Sequence, residues 1–192
     1  MFYFKKIMIL IMISNLVSND MNTDTNSNKD SIDSVIQKLL EDSNKVPDFT
    51  LKAHTGELYN IRSLEGKVVL LNFWATWCGP CRMEIPELNE MQEKHGEDNF
   101  IILGVSISDT EKALLDFTKL YSVNYPLLFG TPKEIEKISM QYGGIYSVPT
   151  SILINKEGEM IFNYPGAILK SYDRYDGVYS TVNEKIAKAL SE

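Results

Sequence analysis

Runs of apolar residues with the periods of strands and helices alternate along the chain from residue 45 onward. The run KVVLLNFWA is almost wholly apolar, which is typical of a strand buried on both faces. Helical spacing predicts helices near residues 80–94, 110–121 and 133–142, and a last helix toward Leu190. The order of these elements indicates an α/β fold, a central mixed β-sheet flanked by helices on both faces. The other predicted strands are DFTLK and ELYNI, which form an N-terminal β-hairpin, then FIILGVSI, PLLFG, TSILIN and EMIFNY.

The first 44 residues follow a different pattern. Lys5 and Lys6 precede an apolar run over residues 7–13, which is the layout of a secretory signal. The run is shorter than the roughly 20 apolar residues of a spanning helix. We therefore predict that residues 1–18 are a signal peptide or an uncleaved N-terminal membrane anchor. Residues 19–44 are predicted to be a polar linker followed by a short amphipathic helix in SIDSVIQKLLEDS.

Composition and charge narrow the classes of function. The chain has 192 residues, of which 44% are apolar, enough for one globular domain over residues 45–192 without help from disulfides. The formal net charge of −7 disfavours nucleic acid as a partner. We expect an exported monomer without a cofactor, in the periplasm or at the outer face of the cytoplasmic membrane. A tether to the membrane through the N-terminus is possible if the anchor is retained.

Both cysteines of the chain lie in NFWATWCGPCRMEIPEL, where a strand gives way to a helix. A bridge across two residues removes little chain entropy, so the pair is better explained by reactivity than by stapling. Cys78 is expected at the helix N-terminus, which favours a thiolate, and is the predicted nucleophile. Gly79 and Pro80 separate the pair, and Pro80 is tolerated in a first helical turn. Cys81 is expected to be more buried, as the resolving thiol.

Zinc is the competing interpretation of the cysteines. His54 and His95 would complete a four-ligand set by count, but they lie far apart and belong to no paired-ligand motif. We expect no metal site, and we expect each histidine to be an exposed loop residue. Covalent haem attachment is excluded because Arg82, not histidine, follows Cys81.

The segments VPDFTL, SLEGKVVLLNFW, NFWATWCGPCRMEIPEL and SVPTSILINKEGEM resemble the TlpA/ResA group of the thioredoxin superfamily, exported thiol-disulfide oxidoreductases with an AhpC/TSA-redoxin-like domain. The resemblance covers residues 46–190 and implies a thioredoxin-like fold, a redox-active disulfide between Cys78 and Cys81, and a proline loop facing it. The family's proline falls on Pro149, and in relatives it is cis, although a trans bond is the ordinary expectation. The Val148 backbone would then be free to pair with an extended client segment.

Further residue roles follow from the same resemblance. Glu84 matches an acidic residue of this group, and we expect it to be partly buried, to influence the thiols' titration and to accept a proton from one of them. Thioredoxin has a buried aspartate at the position of Asn72, and an asparagine cannot act as a base. Trp77 is expected at the rim of the site, where it contacts partners, whereas Trp74 is assigned to the core.

Two predictions concern packing. Pro86 lies inside the predicted helix and removes a backbone hydrogen bond to Arg82, so we expect a kink there. Tyr172, Tyr175 and Tyr179 have helical spacing and are expected to form one packing stripe.

The resemblance implies an enzyme that reduces disulfides in client proteins, with apocytochrome c, and hence cytochrome c maturation, as the family's best-known case. With no third cysteine the chain cannot regenerate itself, so a membrane electron donor of the thiol-reductant type is implied. One alternative is a peroxiredoxin-type peroxidase, although Leu71 and Ala75 stand where that motif has proline and threonine or serine. A second alternative is a non-catalytic envelope module that binds a partner or a metal.

Overall fold

The computed structural model describes residues 32–36 and 44–192 of the chain, which divides into the units Met1–Lys45 and Val46–Glu192. Residues 32–36 are helical, within the predicted amphipathic segment. The predicted signal peptide or anchor and the polar linker lie outside the described residues. In the part of the chain that the structure describes, no helix has the length and apolarity of a membrane span.

A mixed sheet organises the unit from residue 46 onward. The strands in the described residues form one seven-stranded sheet in the order β2-β1-β5-β4-β3-β6-β7. The central strand β3 pairs parallel with β4 and antiparallel with β6, and β1 and β2 form an antiparallel hairpin. The strands are β1 (Thr50–Ala53), β2 (Leu58–Asn60), β3 (Val68–Trp74), β4 (Phe100–Ser106), β5 (Leu127–Phe129), β6 (Thr150–Ile154) and β7 (Met160–Pro165).

Three helices begin at a residue whose side chain accepts a hydrogen bond from a free backbone N–H group. Thr110 and Thr131 accept hydrogen bonds at the starts of two helices, and Thr131 forms a capping box with Glu134. The longest helix follows β3 directly and runs through Pro86 to His95. The helices are α1 (Gly79–His95), α2 (Glu111–Thr118), α3 (Pro132–Gln141), α4 (Asp173–Asp176) and α5 (Val178–Ser191).

Every residue of β3 is buried, as its apolar run predicts, so the sheet has a core on each face. One core combines Val68, Leu70 and Trp74 with apolar residues of α1, α2 and α5. The other combines Leu71 and Phe73 with apolar residues of α3. The predicted fold, a mixed sheet with helices on both faces, is confirmed, and so is the assignment of Trp74 to the core.

The prediction that both histidines are exposed loop residues is wrong. His95 is buried in the last turn of α1, where its ring meets the edge of Phe100. It lies on the apolar stripe of α1 that also contains Leu88 and Met91. His54 is half-buried in the β1–β2 turn, and its Nδ1 accepts a hydrogen bond from the backbone N–H of Leu127 at 3.2 Å.

The predicted tyrosine stripe is also wrong. Tyr172 lies in a 3-10 turn, Tyr175 in α4 and Tyr179 in α5, and Gly177 with its positive φ of 62° breaks the helix between them. Tyr175 is 75% exposed, whereas the Tyr179 hydroxyl donates a hydrogen bond to Glu90 at 3.2 Å. The three rings therefore share no common packing face.

Candidate active site

The two cysteines stand at the start of α1 and are joined by a disulfide bond. Cys78 is the N-cap residue, with extended backbone, and its Sγ accepts a hydrogen bond from the Cys81 N–H at 3.2 Å. Free N–H groups at a helix N-terminus and the helix dipole both stabilise negative charge on a sulfur at this position. Cys81 is 1% exposed and Cys78 is 4% exposed, so Cys81 is the more buried of the two, as predicted, although the difference is small.

The loop before β6 faces this pair. The Val148-Pro149 peptide bond is cis, which confirms what the resemblance implied and overturns the ordinary expectation of a trans bond. Pro149 is buried and Val148 is half-buried. The carbonyl oxygen of Val148 lies 3.7 Å from Sγ of Cys78. The fold thus brings the proline loop to the nucleophile, although the two are far apart in sequence.

Glu84 is completely buried, more deeply than the sequence predicted. It lies three residues after Cys81 on α1, so the two side chains are neighbours on the helix surface. Its Oε1 accepts a hydrogen bond from Nδ2 of Asn72 at 2.9 Å, and its Oε2 accepts one from the backbone N–H of Ile168 at 2.8 Å. The carboxyl group is therefore held by donors from the sheet and from the connection that follows β7.

Burial raises the pKa of Glu84 to about 7, while the hydrogen bonds from Ile168 and Asn72 lower it and the charge of Glu87 raises it. A carboxyl group with such a pKa is present in both protonation states near neutral pH, which suits a general acid and base. The hydroxyl of Tyr125 is buried nearby, and burial together with the charge of Glu84 raises the pKa of Tyr125. Of these two buried acids, Glu84 is the one that changes protonation state near neutral pH.

Trp77 directly precedes Cys78 in the chain. Its side chain is 63% exposed, and its Nε1 donates a hydrogen bond to Oγ of Ser108 at 3.0 Å. Gly79 is half-buried and Pro80 is exposed, so the turn between the cysteines is open to a partner. A Cβ at Gly79 would meet nothing within 4 Å, so the structure gives no steric reason for glycine there.

Asp109, which is not among the predicted site residues, holds the segment before Cys78 in place. Its carboxylate accepts hydrogen bonds from the Thr76 N–H at 2.8 Å, the Thr76 hydroxyl at 2.6 Å and the Ser106 hydroxyl at 2.7 Å. A signal for it exists in the polar cluster SISDT between a predicted strand and a predicted helix. The sequence analysis also missed Ser151, which contacts Asn72, and the backbone of Ile168.

In the structure, neither His54 nor His95 can bind a zinc ion together with the two cysteines. His95 ends α1 while Cys78 caps its beginning, and a helix of 17 residues spans roughly 25 Å. His54 is bonded to the backbone of β5. Within residues 32–36 and 44–192, no three His, Cys, Asp or Glu side chains are grouped closely enough to hold a metal ion.

Thiol–disulfide exchange is the chemistry that this arrangement supports, and it places the protein in the class of thioredoxin-fold thiol-disulfide oxidoreductases. The chain belongs to the AhpC/TSA family, whose profile matches residues 43–162, and it is TlpA/ResA-like within the thioredoxin superfamily.

Individual relatives agree with this assignment. The thiol-disulfide oxidoreductase ResA of Bacillus thuringiensis is 32% identical over 130 residues, which are 68% of this chain and 73% of the relative. A thioredoxin-family thiol:disulfide interchange protein from Chlorobium tepidum superposes with a TM-score of 0.64 at 26% identity, covering 77% of this chain and 96% of that one. The pneumococcal exposed lipoprotein thioredoxin of Streptococcus pneumoniae gives a TM-score of 0.60 at 27% identity, covering 72% of this chain and 99% of that one.

Proposed function

We propose that this oxidoreductase acts outside the cytoplasm and reduces disulfides in client proteins. The observation that carries the proposal is the position of Cys78, which caps α1 and faces the Val148 carbonyl at 3.7 Å, while the buried Glu84 lies one turn beyond Cys81. Export is supported by the signal-like layout of residues 1–18 and by the likeness to an exposed lipoprotein thioredoxin. Reduction is favoured by the Gly79 and Pro80 pair between the cysteines, which is also the pair found in thioredoxin.

The first step begins from the reduced protein. The Cys78 thiolate attacks one sulfur of the client disulfide, the client S–S bond breaks, and a mixed disulfide forms between Cys78 and the client. The displaced client sulfur leaves as a thiolate and takes a proton from solvent. The cap position at α1 stabilises the attacking thiolate, because the Cys81 N–H points at Sγ of Cys78.

The second step releases the client. Glu84, in its ionised form, takes the proton of the Cys81 thiol, and the Cys81 sulfur then attacks Sγ of Cys78. The mixed disulfide breaks, the second client sulfur leaves as a thiolate, and the Cys78–Cys81 disulfide closes. Two electrons have then passed from the protein to the client. A membrane thiol-reductant returns two electrons by the same exchange in the opposite direction.

Client binding uses the surface around Cys78. Val148 precedes β6, and its backbone pairs with an extended client segment, which gives affinity without reading the client sequence. Pro149 shapes this loop, while Trp77, Gly79 and Pro80 contact the client from the α1 side. An unfolded protein with an accessible disulfide fits this surface, and apocytochrome c is one such client.

Trapping tests the proposal directly. With Cys81→Ser the first step proceeds but the second cannot, so mixed disulfides through Cys78 should accumulate when the variant is expressed in its host and envelope proteins are separated without reductant. The additional change Cys78→Ser is the control and should abolish them. If Cys81→Ser accumulates no adducts, the reductase proposal is rejected.

The direction of electron flow is decided by the reduction potential of the Cys78–Cys81 pair, measured against a glutathione or dithiothreitol buffer. A potential near or below about −250 mV supports a dedicated reductant, whereas a potential near about −120 mV indicates a donor of disulfides to folding proteins. If the pair shows no reversible two-electron couple, the non-catalytic binding module becomes the better interpretation.

A further inference from the structure

A buried pair of polar side chains lies on the sheet beneath Glu84. Asn72 on β3 and Ser151 on β6 are directly opposite each other in the antiparallel register, so their side chains point to the same face. Asn72 is 2% exposed and Ser151 is completely buried. Buried polar side chains in the middle of a sheet are destabilising unless their hydrogen bonds are satisfied.

Both hydrogens of the Asn72 amide are used. Nδ2 donates to Oε1 of Glu84 at 2.9 Å and to Oγ of Ser151 at 3.0 Å. Ser151 therefore fixes the rotation of the amide, because its oxygen accepts the hydrogen that Glu84 does not. The other carboxyl oxygen of Glu84 is fixed by Ile168 at 2.8 Å.

We propose that Asn72, oriented by Ser151, is a positioning residue that holds the Glu84 carboxylate and sets the pH range in which the second step of thiol exchange proceeds. This inference rests on the proposed role of Glu84 as the proton acceptor of Cys81.

The surroundings of Glu84 explain why a donor is needed there. The titratable groups that interact with its charge are Glu87 on the same helix, Tyr125 before β5 and Tyr164 on β7, and all three are acids. None of them supplies positive charge. The ionised form of Glu84 is therefore stabilised chiefly by the N–H groups of Asn72 and Ile168, and the removal of either donor should favour the protonated form.

A leucine at position 72 has the same number of side-chain heavy atoms as asparagine but offers neither a donor nor an acceptor. Asn72→Leu therefore removes the hydrogen bond to Oε1 of Glu84.

The test uses the full-length chain and follows the titration of the Glu84 carboxyl group directly. The carboxyl ¹³C shift of Glu84 is followed against pH in the oxidised protein, and the rate of the second step is followed against pH by rapid-quench release of a client peptide from Cys78. In Asn72→Leu both midpoints should move upward by about one pH unit, which slows the second step about tenfold at pH 6. Ser151→Ala should move both midpoints in the same direction by a smaller amount.

Asn89→Leu is the matched control, since it removes an amide on α1 that bonds to Ser122 and Asn124 and does not touch Glu84. It should leave both midpoints unchanged. If Asn72→Leu does not fold, the inference is tested with Ser151→Ala instead. An unchanged titration midpoint of Glu84 in whichever of the two variants folds overturns the inference.

Glu84→Gln separates this inference from the proposed function. If Glu84→Gln slows the second step while Asn72→Leu leaves the Glu84 midpoint in place, the role of Glu84 stands and that of Asn72 is rejected. If Glu84→Gln has no effect on the second step, the proposed role of Glu84 fails and the inference about Asn72 fails with it.

Discussion

At Glu84 a proposed chemical role is combined with an energetic penalty in a single residue. Its carboxyl group is completely buried and accepts two hydrogen bonds, yet burial still raises its pKa to about 7. A buried carboxylate is costly even when it is hydrogen-bonded. The folded protein therefore gives up stability at neutral pH to keep a titratable group beside the thiols.

This penalty predicts how stability depends on pH. The ordinary pKa of a glutamate is about 4.3, so between that pH and about 7 the native state binds more protons at Glu84 than the unfolded state does. The contribution of Glu84 to stability therefore falls as pH rises through this range and is constant above it. The total loss is on the order of 3–4 kcal/mol.

Glu84→Gln should remove this dependence. The amide can keep both hydrogen bonds, because its oxygen accepts from Ile168 and its nitrogen donates to a rotated Asn72. The free energy of unfolding of the variant, relative to the wild type, should rise between pH 5 and pH 8 in urea titrations of the oxidised protein. Glu93→Gln, an exposed change on the same helix, serves as the control. A difference that stays constant with pH would contradict the assignment.

A second prediction concerns the exchange of carboxylate and amide between positions 72 and 84. In the double variant Asn72→Asp with Glu84→Gln, the introduced glutamine can donate to the introduced aspartate and accept from Ile168, so no polar group loses its partner. The double variant should regain part of the second-step rate that Glu84→Gln loses, measured by rapid quench at pH 7. Asn72→Asp alone places two carboxyl groups within hydrogen-bonding distance and should titrate in two coupled steps. If the double variant is no faster than Glu84→Gln, the prediction is wrong.

Much of the residue-level site could be predicted from the sequence because its signals are local. Cys78 and Cys81 are recognisable by their spacing and by the strand and helix that flank them. The partners of Glu84 could not be predicted in this way, since Ser151 lies 79 positions from Asn72 and Ile168 lies 84 positions from Glu84. The donor at Ile168 is a backbone N–H, which nearly every residue type has, so the identity of residue 168 does not indicate the contact.

At the scale of elements, the β4–α2 connection holds the start of α1 in place. The carboxylate of Asp109 accepts hydrogen bonds from the backbone N–H and the hydroxyl of Thr76. The hydroxyl oxygen of Ser108 accepts one from the indole N–H of Trp77. These contacts fix the two residues before Cys78 from a neighbouring strand end. The cap geometry of Cys78 is therefore imposed by two elements, the helix itself and the loop beside it.

Asp109→Asn should loosen this segment. An amide can accept from the Thr76 hydroxyl but loses the charged acceptor for the Thr76 N–H, and a hydrogen bond to a charged group contributes about 1.5–3 kcal/mol. We expect the Thr76 amide to exchange with deuterium at least tenfold faster, as measured by NMR. Asp116→Asn, a change at a half-exposed aspartate on α2 that pairs with Lys112 and Lys119, should leave Thr76 unaffected. Unchanged protection of Thr76 in Asp109→Asn would show that the loop does not depend on Asp109.

The wrong predictions at this scale have identifiable causes. His95 continues the apolar spacing of Leu88 and Met91 along α1, so its burial was readable from the helical period, which the presence of a polar side chain obscured. The predicted tyrosine stripe would continue one helix across Gly177, although the Asp176-Gly177 pair is a common turn signal.

At the scale of the whole molecule, both apolar cores belong to the unit that begins at Val46. Each core is bounded by the sheet on one side and by helices on the other. The residues of the candidate active site all come from this unit as well.

Removal of residues 1–43 should therefore leave stability and thiol exchange unchanged. The urea midpoint and the rate of insulin reduction should match those of the full-length chain, and Cys78→Ser in the shortened chain is the inactive control. A lower urea midpoint in the shortened chain would show that the first residues contribute to stability.

The bond from Ile168 to Glu84 has a consequence for the order of events during synthesis. A nascent chain that has been made as far as β6 already contains both thiols, the sequence of α1, and the Asn72 and Ser151 pair. It lacks the last donor to the carboxylate, which arrives only after β7 has been made. A partly made chain thus carries both thiols before the carboxyl group of Glu84 has its second hydrogen-bond donor.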